Sequence, residues 1–198
     1  MNFLAHLFLS DQSDDALLGA LLGDFVKGPL DQRYSPVITA AIRLHRHIDV
    51  FTDAHAAVLA SKARVSPVRR RYAGIMVDMF YDHFLARYWE DYATVSLDIF
   101  TRRVYQVLSR RHAELPDKLR RIAPNMIEFD WLGSYREVNS VAAALDRMGS
   151  RLRRGNGLLD SGEDLLREYA AFEADFRAFF PEVILFACAD EAGFVVAH

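Results

Sequence analysis

The sequence predicts an all-α fold, and three observations lead to that prediction. Six segments repeat apolar residues at spacings of three and four, which is the pattern of one face of an α-helix. Sustained alternation of apolar and polar residues, the pattern of a half-buried strand, is scarce. The chain has 198 residues and 52% hydrophobic content, enough to bury the core of one compact domain. We therefore expect residues 1–198 to form a single helical domain.

The predicted helices alternate with breaks that contain proline and glycine. The stretches "KGPLDQRYSP" and "RVSP" precede the second and third helices, and "RRGNGLLDSGE" precedes the sixth. We expect "ELPDK" and "APN" to bracket a short turn after the fourth helix. The stretch "VILFACA" is compatible with a strand, but its position behind Pro181 and Glu182 favours a terminal core helix. The six predicted helices cover residues 14–26, 37–60, 69–89, 98–115, 138–152 and 163–180.

Composition excludes several classes of protein. The sole cysteine, Cys188, cannot form an intramolecular disulfide or a cysteine-based zinc site. The apolar N-terminus lacks the basic segment of a signal peptide, and no uncharged apolar run reaches the roughly 18 to 20 residues of a membrane span. A net charge of −3 argues against general nucleic-acid binding, and no GxSxG, P-loop or GxGxxG motif is present. We expect a soluble, cytoplasmic protein with neither nucleic-acid nor membrane partners.

Acidic and imidazole side chains interrupt two of the apolar segments at helical spacing. In "LHRHIDVFTD", His45, Asp49 and Asp53 follow one another at intervals of four, which places them near one face of a helix. In "VDMFYDHF", Asp78 and Asp82 lie one turn apart. A polar face of this kind is either a solvated surface or a metal site.

Asp24, in "LLGDFVKG", and His6, in "FLAHLF", are two further polar residues among apolar neighbours. A lone histidine such as His6 is more often a hydrogen-bonded core residue than a metal ligand. Several buried carboxylates need a neutralising partner, which can be a divalent cation or a salt-bridge network with Arg43 and Arg46. A donor set of imidazole and carboxylate without thiolate favours Mg²⁺ or Mn²⁺ with retained waters, which suits phosphoester hydrolysis.

Arginine supplies almost all of the positive charge, since the chain has only three lysines. Such clusters are usually solvated helix faces. The alternative is a patch for an acidic partner, because guanidinium groups pair bidentately with carboxylates and phosphates. The clusters lie at residues 69–71, 102–103, 110–111, 120–121 and 151–154.

Five stretches together resemble the acyl carrier protein phosphodiesterases: "MNFLAHLFLS", "GALLGDFVKG", "LHRHIDVFTD", "DMFYDHFLARYW" and "DWLGSYREV". They occur in the family's order between Met1 and about Arg177. The resemblance implies an all-helical fold related to a divergent HD-domain hydrolase. It also implies a phosphodiesterase that favours Mn²⁺, with Mg²⁺ or another divalent cation as the alternative. Such an enzyme removes 4′-phosphopantetheine from the serine of holo-acyl carrier protein and leaves the apo form.

The resemblance, together with helical geometry, also assigns roles to residues. Arg46 is expected to bind phosphoryl oxygens, and His47 or His83 to protonate the leaving serine. A consecutive His-Asp pair is absent, because Ile48 separates His47 from Asp49, so the usual ligand map of HD domains does not transfer intact. The expected metal ligands are Asp24, His45, Asp49, Asp78 and Asp82. The arginines expected to steer the acidic carrier protein are Arg69, Arg70, Arg71 and Arg103.

Two other functions remain open at this point. One is an HD-like phosphohydrolase that acts on a nucleotide or another small phosphoester. The other is a helical binding or scaffolding module without enzymatic activity, in which the His and Asp face is a salt-bridge network.

Overall fold

A computed structural model describes residues 1–30, 33–150 and 157–196, with side chains as far as residue 190. Within these residues the chain forms helices and turns and no strand, which confirms the all-α prediction. Short 3₁₀ segments occur at Pro67–Tyr72, Trp89–Asp91 and His112–Glu114. The α-helices are α1 Phe3–Phe8, α2 Asp14–Leu22, α3 Pro36–Ala54, α4 Ala56–Arg64, α5 Ala73–Arg87, α6 Leu97–Arg110, α7 Asp117–Glu128, α8 Trp131–Ser134, α9 Val138–Gly149, α10 Gly162–Arg167 and α11 Tyr169–Val196.

Serine side chains define where several helices begin. The hydroxyl oxygens of Ser13, Ser35 and Ser96 accept backbone N–H groups in the first turns of α2, α3 and α6. Pro36 follows Ser35 at the first position of α3, where its missing N–H is no loss. These caps fix the start of α3, the helix that carries the "LHRHIDVFTD" stretch.

The second predicted helix, residues 37–60, is broken at His55. This residue has an extended backbone conformation, and its Nδ1 accepts the N–H of Ala57 at 3.2 Å. His55 therefore ends α3 and caps α4. The third predicted helix begins four residues late, because the arginines at 69–71 lie in a 3₁₀ segment and α5 starts at Ala73.

Prolines interrupt the described helices less than expected. The predicted turn at "APN" is wrong, because Pro124 lies inside α7. The terminal core helix is confirmed, but it begins at Tyr169 and runs through Pro181 as the single helix α11. A proline inside a helix loses one backbone hydrogen bond and can be retained where tertiary packing holds the helix. Residues 151–152 of the fifth predicted helix lie outside the described residues.

The buried apolar side chains of the described residues form one connected core, with α5 at its centre. Phe80, Tyr81 and Phe84 of α5 are fully buried and make ring contacts with Phe172 and Phe176 of α11. Helix α5 also packs against α1, α4 and α9. This arrangement brings the N-terminal helix α1 against the helix that carries Asp78 and Asp82.

Helices α2 and α3 approach closely at Gly19. A Cβ atom at this position would lie 2.6 Å from the Cβ of Ala41 and 2.7 Å from the carbonyl oxygen of Ile38. Only glycine permits this spacing, and the C-terminal end of α2 is thereby brought beside His45 of α3. No helix in the described part of the chain is long and apolar enough to cross a bilayer.

Candidate metal centre

Three side chains from α1 and α3 converge on one point. One ligand atom each of His6, His45 and Asp49 lies within 4.8 Å of the other two. Both imidazoles are buried, whereas the Asp49 side chain is 44% exposed. The cluster is therefore backed by core and open on one side.

The two imidazoles lie face to face beside the Asp49 carboxylate. Their ring centroids are 3.5 Å apart and their planes are 10° from parallel. The Nε2 atom of His6 lies 3.1 Å from one carboxylate oxygen of Asp49, and the Nε2 atom of His45 lies 3.5 Å from the other. Both rings thus turn the same nitrogen toward the same carboxylate.

A backbone carbonyl fixes the orientation of His45. Its Nδ1 lies 2.7 Å from the carbonyl oxygen of Ala20 and must donate, since that oxygen can only accept. Nε2 is left facing the carboxylates. Most metal-ligating histidines likewise donate one ring N–H to a fixed acceptor and leave the other ring nitrogen for the metal. Gly23 makes room for the ring, because a Cβ atom there would lie 2.2 Å from Cγ of His45.

Among the described residues, His6 has no hydrogen-bond partner at either ring nitrogen, although both nitrogens are buried. The 3.1 Å approach of its Nε2 to Asp49 lacks hydrogen-bond geometry. An unsatisfied buried polar group costs about 1–3 kcal/mol, so this nitrogen fits a role as a ligand. Burial lowers the pKa of His6 to about 4, which keeps the ring neutral at pH 7. Two imidazoles and a carboxylate, without a thiolate, fit a divalent transition-metal cation.

Asp24 lies next to the cluster, at the loop that follows α2. Its Oδ1 is 3.8 Å from Nε2 of His45, and its side chain is 42% exposed. Burial alone would raise the pKa of Asp24, but contact with His45 brings it below its ordinary value. Burial likewise works to lower the pKa of His45, yet Asp24 and Asp49 raise it to about 9. The carboxylates thus already stabilise positive charge at the point where the imidazoles meet.

Asp78 contacts the N-terminal amino group at the edge of the cluster. The Met1 nitrogen donates to Oδ1 of Asp78 at 3.0 Å and lies 3.7 Å from Oδ1 of Asp49. Burial works to lower the pKa of this amino group, but the two carboxylates outweigh it and raise the pKa above 8.0. Asp78 is linked to the three-residue cluster through Met1.

Asp82 is fully buried and binds the start of α1. Its two carboxylate oxygens accept the backbone N–H groups of Leu4 at 2.8 Å and Ala5 at 3.1 Å. These are N–H groups that an α-helix leaves unpaired at its first turn. Burial raises the pKa of Asp82 to about 7, although both N–H contacts oppose the rise. Asp82 therefore orients the helix that carries His6, and it is not a member of the three-residue cluster.

The predicted catalytic residues lie apart from this cluster. Arg46 donates to the carbonyl oxygen of Val26 at 2.8 Å and so ties α3 to the loop behind Asp24. His47 is exposed, with Nδ1 2.9 Å from a carboxylate oxygen of Asp190 on α11. A residue two positions after His45 points about 200° around the helix from it, which is why the two rings separate.

His83 is buried with both ring nitrogens engaged. Nδ1 lies 2.8 Å from the carbonyl oxygen of Tyr135, and Nε2 lies 2.9 Å from the hydroxyl of Tyr169. Asp53, which shares the spacing of His45 and Asp49, also lies away from the cluster and pairs with Lys62 at 2.7 Å. Neither residue meets the imidazole pair.

The arginines predicted to bind a partner mostly make contacts within the chain. Arg69 donates to the carbonyl oxygen of Leu159 and lies 3.4 Å from the fully buried carboxylate of Asp164. Arg103 donates to the carbonyl oxygen of Gln12. Arg70 donates to the Val65 carbonyl at 3.1 Å, and the Arg71 guanidinium stacks over the Tyr72 ring at 4.6 Å. The cluster at residues 151–154 lies outside the described residues.

Sequence reasoning favoured a structural role for His6 and did not consider the Met1 amino group. His6 gave a usable signal, because it lies within the "NFLAH" stretch that carries the resemblance. The amino group gave none, since no side chain marks it.

Comparison with known proteins identifies the family. The family model described as acyl carrier protein phosphodiesterase matches residues 1–183. A protein of that name from Photorhabdus laumondii is 36% identical over 182 residues, which cover 91% of this chain and 92% of the relative. Another from Enterobacter sp. strain 638 is 36% identical over 186 residues, 93% of this chain and 96% of the relative.

No solved structure matches the chain at a significant level. The expected relation to HD-domain hydrolases therefore stays a prediction. The match over residues 1–183 and the two relatives nevertheless confirm the resemblance drawn from the sequence motifs. This chain belongs to the acyl carrier protein phosphodiesterase family.

Proposed function

We propose that this protein hydrolyses the phosphodiester between 4′-phosphopantetheine and the serine of holo-acyl carrier protein, with a divalent cation held by His6, His45 and Asp49. Family membership supports the reaction and the substrate. The observation that carries the metal is the pair of stacked imidazoles facing Asp49, one of them buried without a hydrogen-bond partner. Mn²⁺ is the ion we propose, because the family resemblance implies it and a donor set of imidazole nitrogen and carboxylate oxygen is compatible with it.

The bound cation would supply two things, a water of lowered pKa and polarisation of a phosphoryl oxygen. The protein's own groups hold the geometry around it. Ala20 orients His45, and Asp82 holds the start of the helix that presents His6. Asp24 is ionised, partly exposed and close to His45, so it is placed to accept the proton of the attacking water. Water attacks phosphorus as Asp24 takes its proton, and the bond between phosphorus and the seryl oxygen breaks. The seryl oxygen takes up a proton from solvent, and serine and 4′-phosphopantetheine separate.

The open side of the cluster suits a phosphodiester presented by a protein. Asp24 and Asp49 are both more than two fifths exposed. The partner is then holo-acyl carrier protein, which we place with the enzyme in the cytoplasm. The connected core supports our treating the chain as one domain.

The test is to incubate the purified protein with holo-acyl carrier protein, with Mn²⁺ or with excess chelator, and to follow the mass of the carrier. We expect loss of the 4′-phosphopantetheine mass in the Mn²⁺ sample alone. An unchanged carrier mass together with stoichiometric Mn²⁺ binding would instead favour a small phosphoester as substrate. Failure to bind Mn²⁺ would refute the proposed centre.

Asp49→Asn and Asp53→Asn form a matched pair for the same assay. Both positions lie on α3, one turn apart, but Asp49 contacts both imidazoles and Asp53 contacts Lys62 at the surface. We expect Asp49→Asn to lower kcat/KM by at least about 100-fold, a loss of about 2.7 kcal/mol of transition-state stabilisation. Asp53→Asn should leave kcat/KM within about twofold, because an exposed ion pair contributes little. Equal activity of the two variants would remove Asp49 from the site.

A further inference from the structure

Three side chains of α3 form a row that starts at the metal cluster. Arg43, Arg46 and Asp49 follow one another at intervals of three residues, and side chains at this spacing are neighbours on a helix surface. Asp49 faces both imidazoles of the cluster. Arg43 is six residues from Asp49, or about 9 Å along the helix axis. Two arginines therefore lie within two turns of the cluster on one side of α3.

The loop that follows α2 lies against this side of α3. The carbonyl oxygen of Val26 in the loop accepts Nη2 of Arg46 at 2.8 Å. Asp24, two residues earlier, has its Oδ1 3.8 Å from Nε2 of His45. Lys27 is the residue that follows Val26. The loop therefore connects the cluster, at Asp24, to a third cation, at Lys27.

The charges of Lys27 and Arg43 are not neutralised within the described part of the chain. Both side chains are exposed, and neither forms a hydrogen bond or an ion pair with a described residue. Arg110 on α6, by contrast, pairs with Asp14 at 2.7 Å. An uncompensated cation at the surface attracts an acidic partner. Lys27 and Arg43 therefore favour acidic groups beside the open side of the cluster.

A cavity of about 200 Å³ opens beside the same loop, next to Pro116. Lys27, Arg33 and Tyr34 contribute polar side chains to its wall. The volume corresponds to several water molecules at about 30 Å³ each, so it has room for one side chain of a partner. Two cationic groups and a hydroxyl suit a carboxylate, because hydrogen bonds to a charged acceptor are stronger than those to a neutral one.

The size of a protein interface places these groups under a bound carrier protein. The scissile bond ends at the seryl oxygen, so the serine itself must reach the cluster. A specific interface covers about 800 Å² of each partner, the area of a disc about 16 Å in radius. Arg43 lies about 9 Å along α3 from Asp49, and Lys27 is three residues from Asp24, at most about 11 Å even for an extended chain. Both residues fall inside such a footprint.

We infer that Lys27, Arg43 and the cavity beside Lys27 form the docking surface for holo-acyl carrier protein, where they bind acidic side chains next to its modified serine. The inference rests on the proposed function for the identity of the partner. Neither Lys27 nor Arg43 is among the arginines that the sequence suggested for this role, which are Arg69, Arg70, Arg71 and Arg103.

The first test is carbodiimide cross-linking with apo-acyl carrier protein, the proposed product, which the reaction does not consume. Carbodiimide joins a lysine amine to a carboxylate in direct contact, and the chain has only three lysines. Yields are normalised to the reaction of each lysine with acetate. We expect at least about five times more carrier on Lys27 than on Lys62 of α4. Equal yields at the two lysines, or no cross-link at Lys27, would overturn the inference.

Charge reversal tests the same surface through kinetics. Arg43→Glu and Lys27→Glu remove no hydrogen bond or ion pair within the described chain, and circular dichroism checks that they fold. We expect KM for holo-acyl carrier protein to rise at least about tenfold in each, with kcat within about twofold of the native value. The matched control is Arg102→Glu on α6, another exposed arginine without a described partner.

The control separates a local contact from a change in net charge. KM should stay within about twofold of the native value in Arg102→Glu. An unchanged KM in Arg43→Glu and Lys27→Glu would overturn the inference. A rise in Arg102→Glu as large as theirs would also overturn it, because net charge alone would then account for the effect.

A small phosphodiester, bis(4-nitrophenyl) phosphate, separates docking from chemistry. In Arg43→Glu and Lys27→Glu the loss of kcat/KM should be at least about tenfold larger for holo-acyl carrier protein than for this compound. Equal losses would place the two residues in the reaction itself and overturn their role in docking. If the native protein releases no 4′-phosphopantetheine, the proposed function fails, whereas a preferential cross-link at Lys27 still identifies the docking surface.

Discussion

At the scale of single residues, the buried ring nitrogens of His6 and His45 need polar partners. The two imidazoles, whose ring centroids are 3.5 Å apart, gain contact area by stacking, but Nε2 of each ring needs a polar partner of its own. Asp49 faces both rings, and His6 is still left unsatisfied. A cation at this point would satisfy Nε2 of His6, Nε2 of His45 and the Asp49 carboxylate together, and of the ring nitrogens would leave only Nδ1 of His6 without a partner among the described residues.

His6→Leu tests this explanation through stability as well as through binding. The change replaces a ring that has two unsatisfied nitrogens with an apolar side chain of similar size. The free energy of unfolding of the metal-free variant should therefore lie within about 1 kcal/mol of that of the native protein. Thermal unfolding is measured with and without Mn²⁺. The native protein should gain about 2.7 kcal/mol at an Mn²⁺ concentration 100 times its Kd, or roughly 5–10 °C in Tm.

The His6→Leu protein should show no such rise in Tm. His112→Leu, a change at a histidine in the 3₁₀ segment after α6, is the control and should keep the Mn²⁺-dependent rise. An Mn²⁺-dependent rise in His6→Leu equal to that of the native protein would contradict the assignment of His6.

At the scale of elements, helix ends position the proposed ligands. The first turn of α1 is held by Asp82, the carbonyl of Ala20 in α2 orients His45, and Ser35 caps the helix that carries His45 and Asp49. The Asp82 and Ala20 contacts come from a helix other than the one they position. Small changes at these ends should therefore alter metal binding before they unfold the protein.

Gly23→Ala is the sharpest change at this scale. Its Cβ atom would lie 2.2 Å from Cγ of His45, so the imidazole must move from its position beside Ala20. We expect Mn²⁺ affinity to fall at least tenfold and stability to fall by about 1–3 kcal/mol. Gly74→Ala in α5 is the matched control, because a Cβ atom there meets nothing within 4 Å. The Gly74→Ala protein should bind Mn²⁺ normally and be up to about 1 kcal/mol more stable than the native protein. Normal Mn²⁺ affinity in Gly23→Ala would show that Gly23 does not constrain the His45 ring.

Asp15 joins three helices and should make stability depend on pH. Its Oδ2 accepts the hydroxyl of Ser35 at 2.6 Å, and it pairs with Arg111 at the end of α6. The Ser35 hydrogen bond, and after it the Arg111 contact, lowers the pKa of Asp15 below its ordinary value of 3.8. A lowered pKa contributes stability that is complete above pH 3.8 and is lost as the pH falls further.

Asp15→Asn should therefore be less stable than the native protein at pH 7 by about 1 kcal/mol. The difference in free energy of unfolding between the two proteins should shrink as the pH falls below about 3.8. Urea unfolding between pH 7 and pH 3 measures this difference. A gap that stays constant across this range would mean that the charge of Asp15 contributes nothing.

For the whole molecule, the question is how a chain of net charge −3 attracts an acidic partner. The structure separates the arginines into those that hold the fold and those at the surface. Arg69 faces the fully buried Asp164, whereas Arg70 and Arg71 are exposed in the same 3₁₀ segment. This segment leads directly into α5, where Asp78 lies beside the cluster. The exposed pair is thus better placed for steering than Arg69.

Salt and charge reversal test this arrangement. We expect kcat/KM for holo-acyl carrier protein to fall severalfold between about 50 and 300 mM salt, because screening shortens the reach of surface charges. Arg71→Glu should lower kcat/KM and flatten its dependence on salt, while a small phosphodiester substrate is unaffected. Arg69→Glu should mainly destabilise the fold, because it leaves Asp164 buried beside a like charge. No dependence on salt would argue against electrostatic steering.

The sequence predicted the helical class and most helices, because apolar spacing of three and four reports directly on burial. It could not predict the break at His55, where a side chain caps α4 without proline or glycine, or the passage of α7 through Pro124. It also placed Asp49 and His45 together correctly from their spacing of four. The choice between His6 and Asp82 as cluster members depended on how α1 docks on α5, a contact between residues 77 and 78 positions apart.

That long separation also constrains the order of events during synthesis. His6, His45 and Asp49 all lie in the first quarter of the chain, yet the turn that aims His6 is held by Asp82. A nascent chain therefore carries every ligand of the cluster well before it can orient them, and must extend through α5 before the cluster becomes rigid. For the proposed metal centre, capture of the cation should therefore follow the emergence of α5 from the ribosome, and the synthesis of that helix would set the time at which the centre forms.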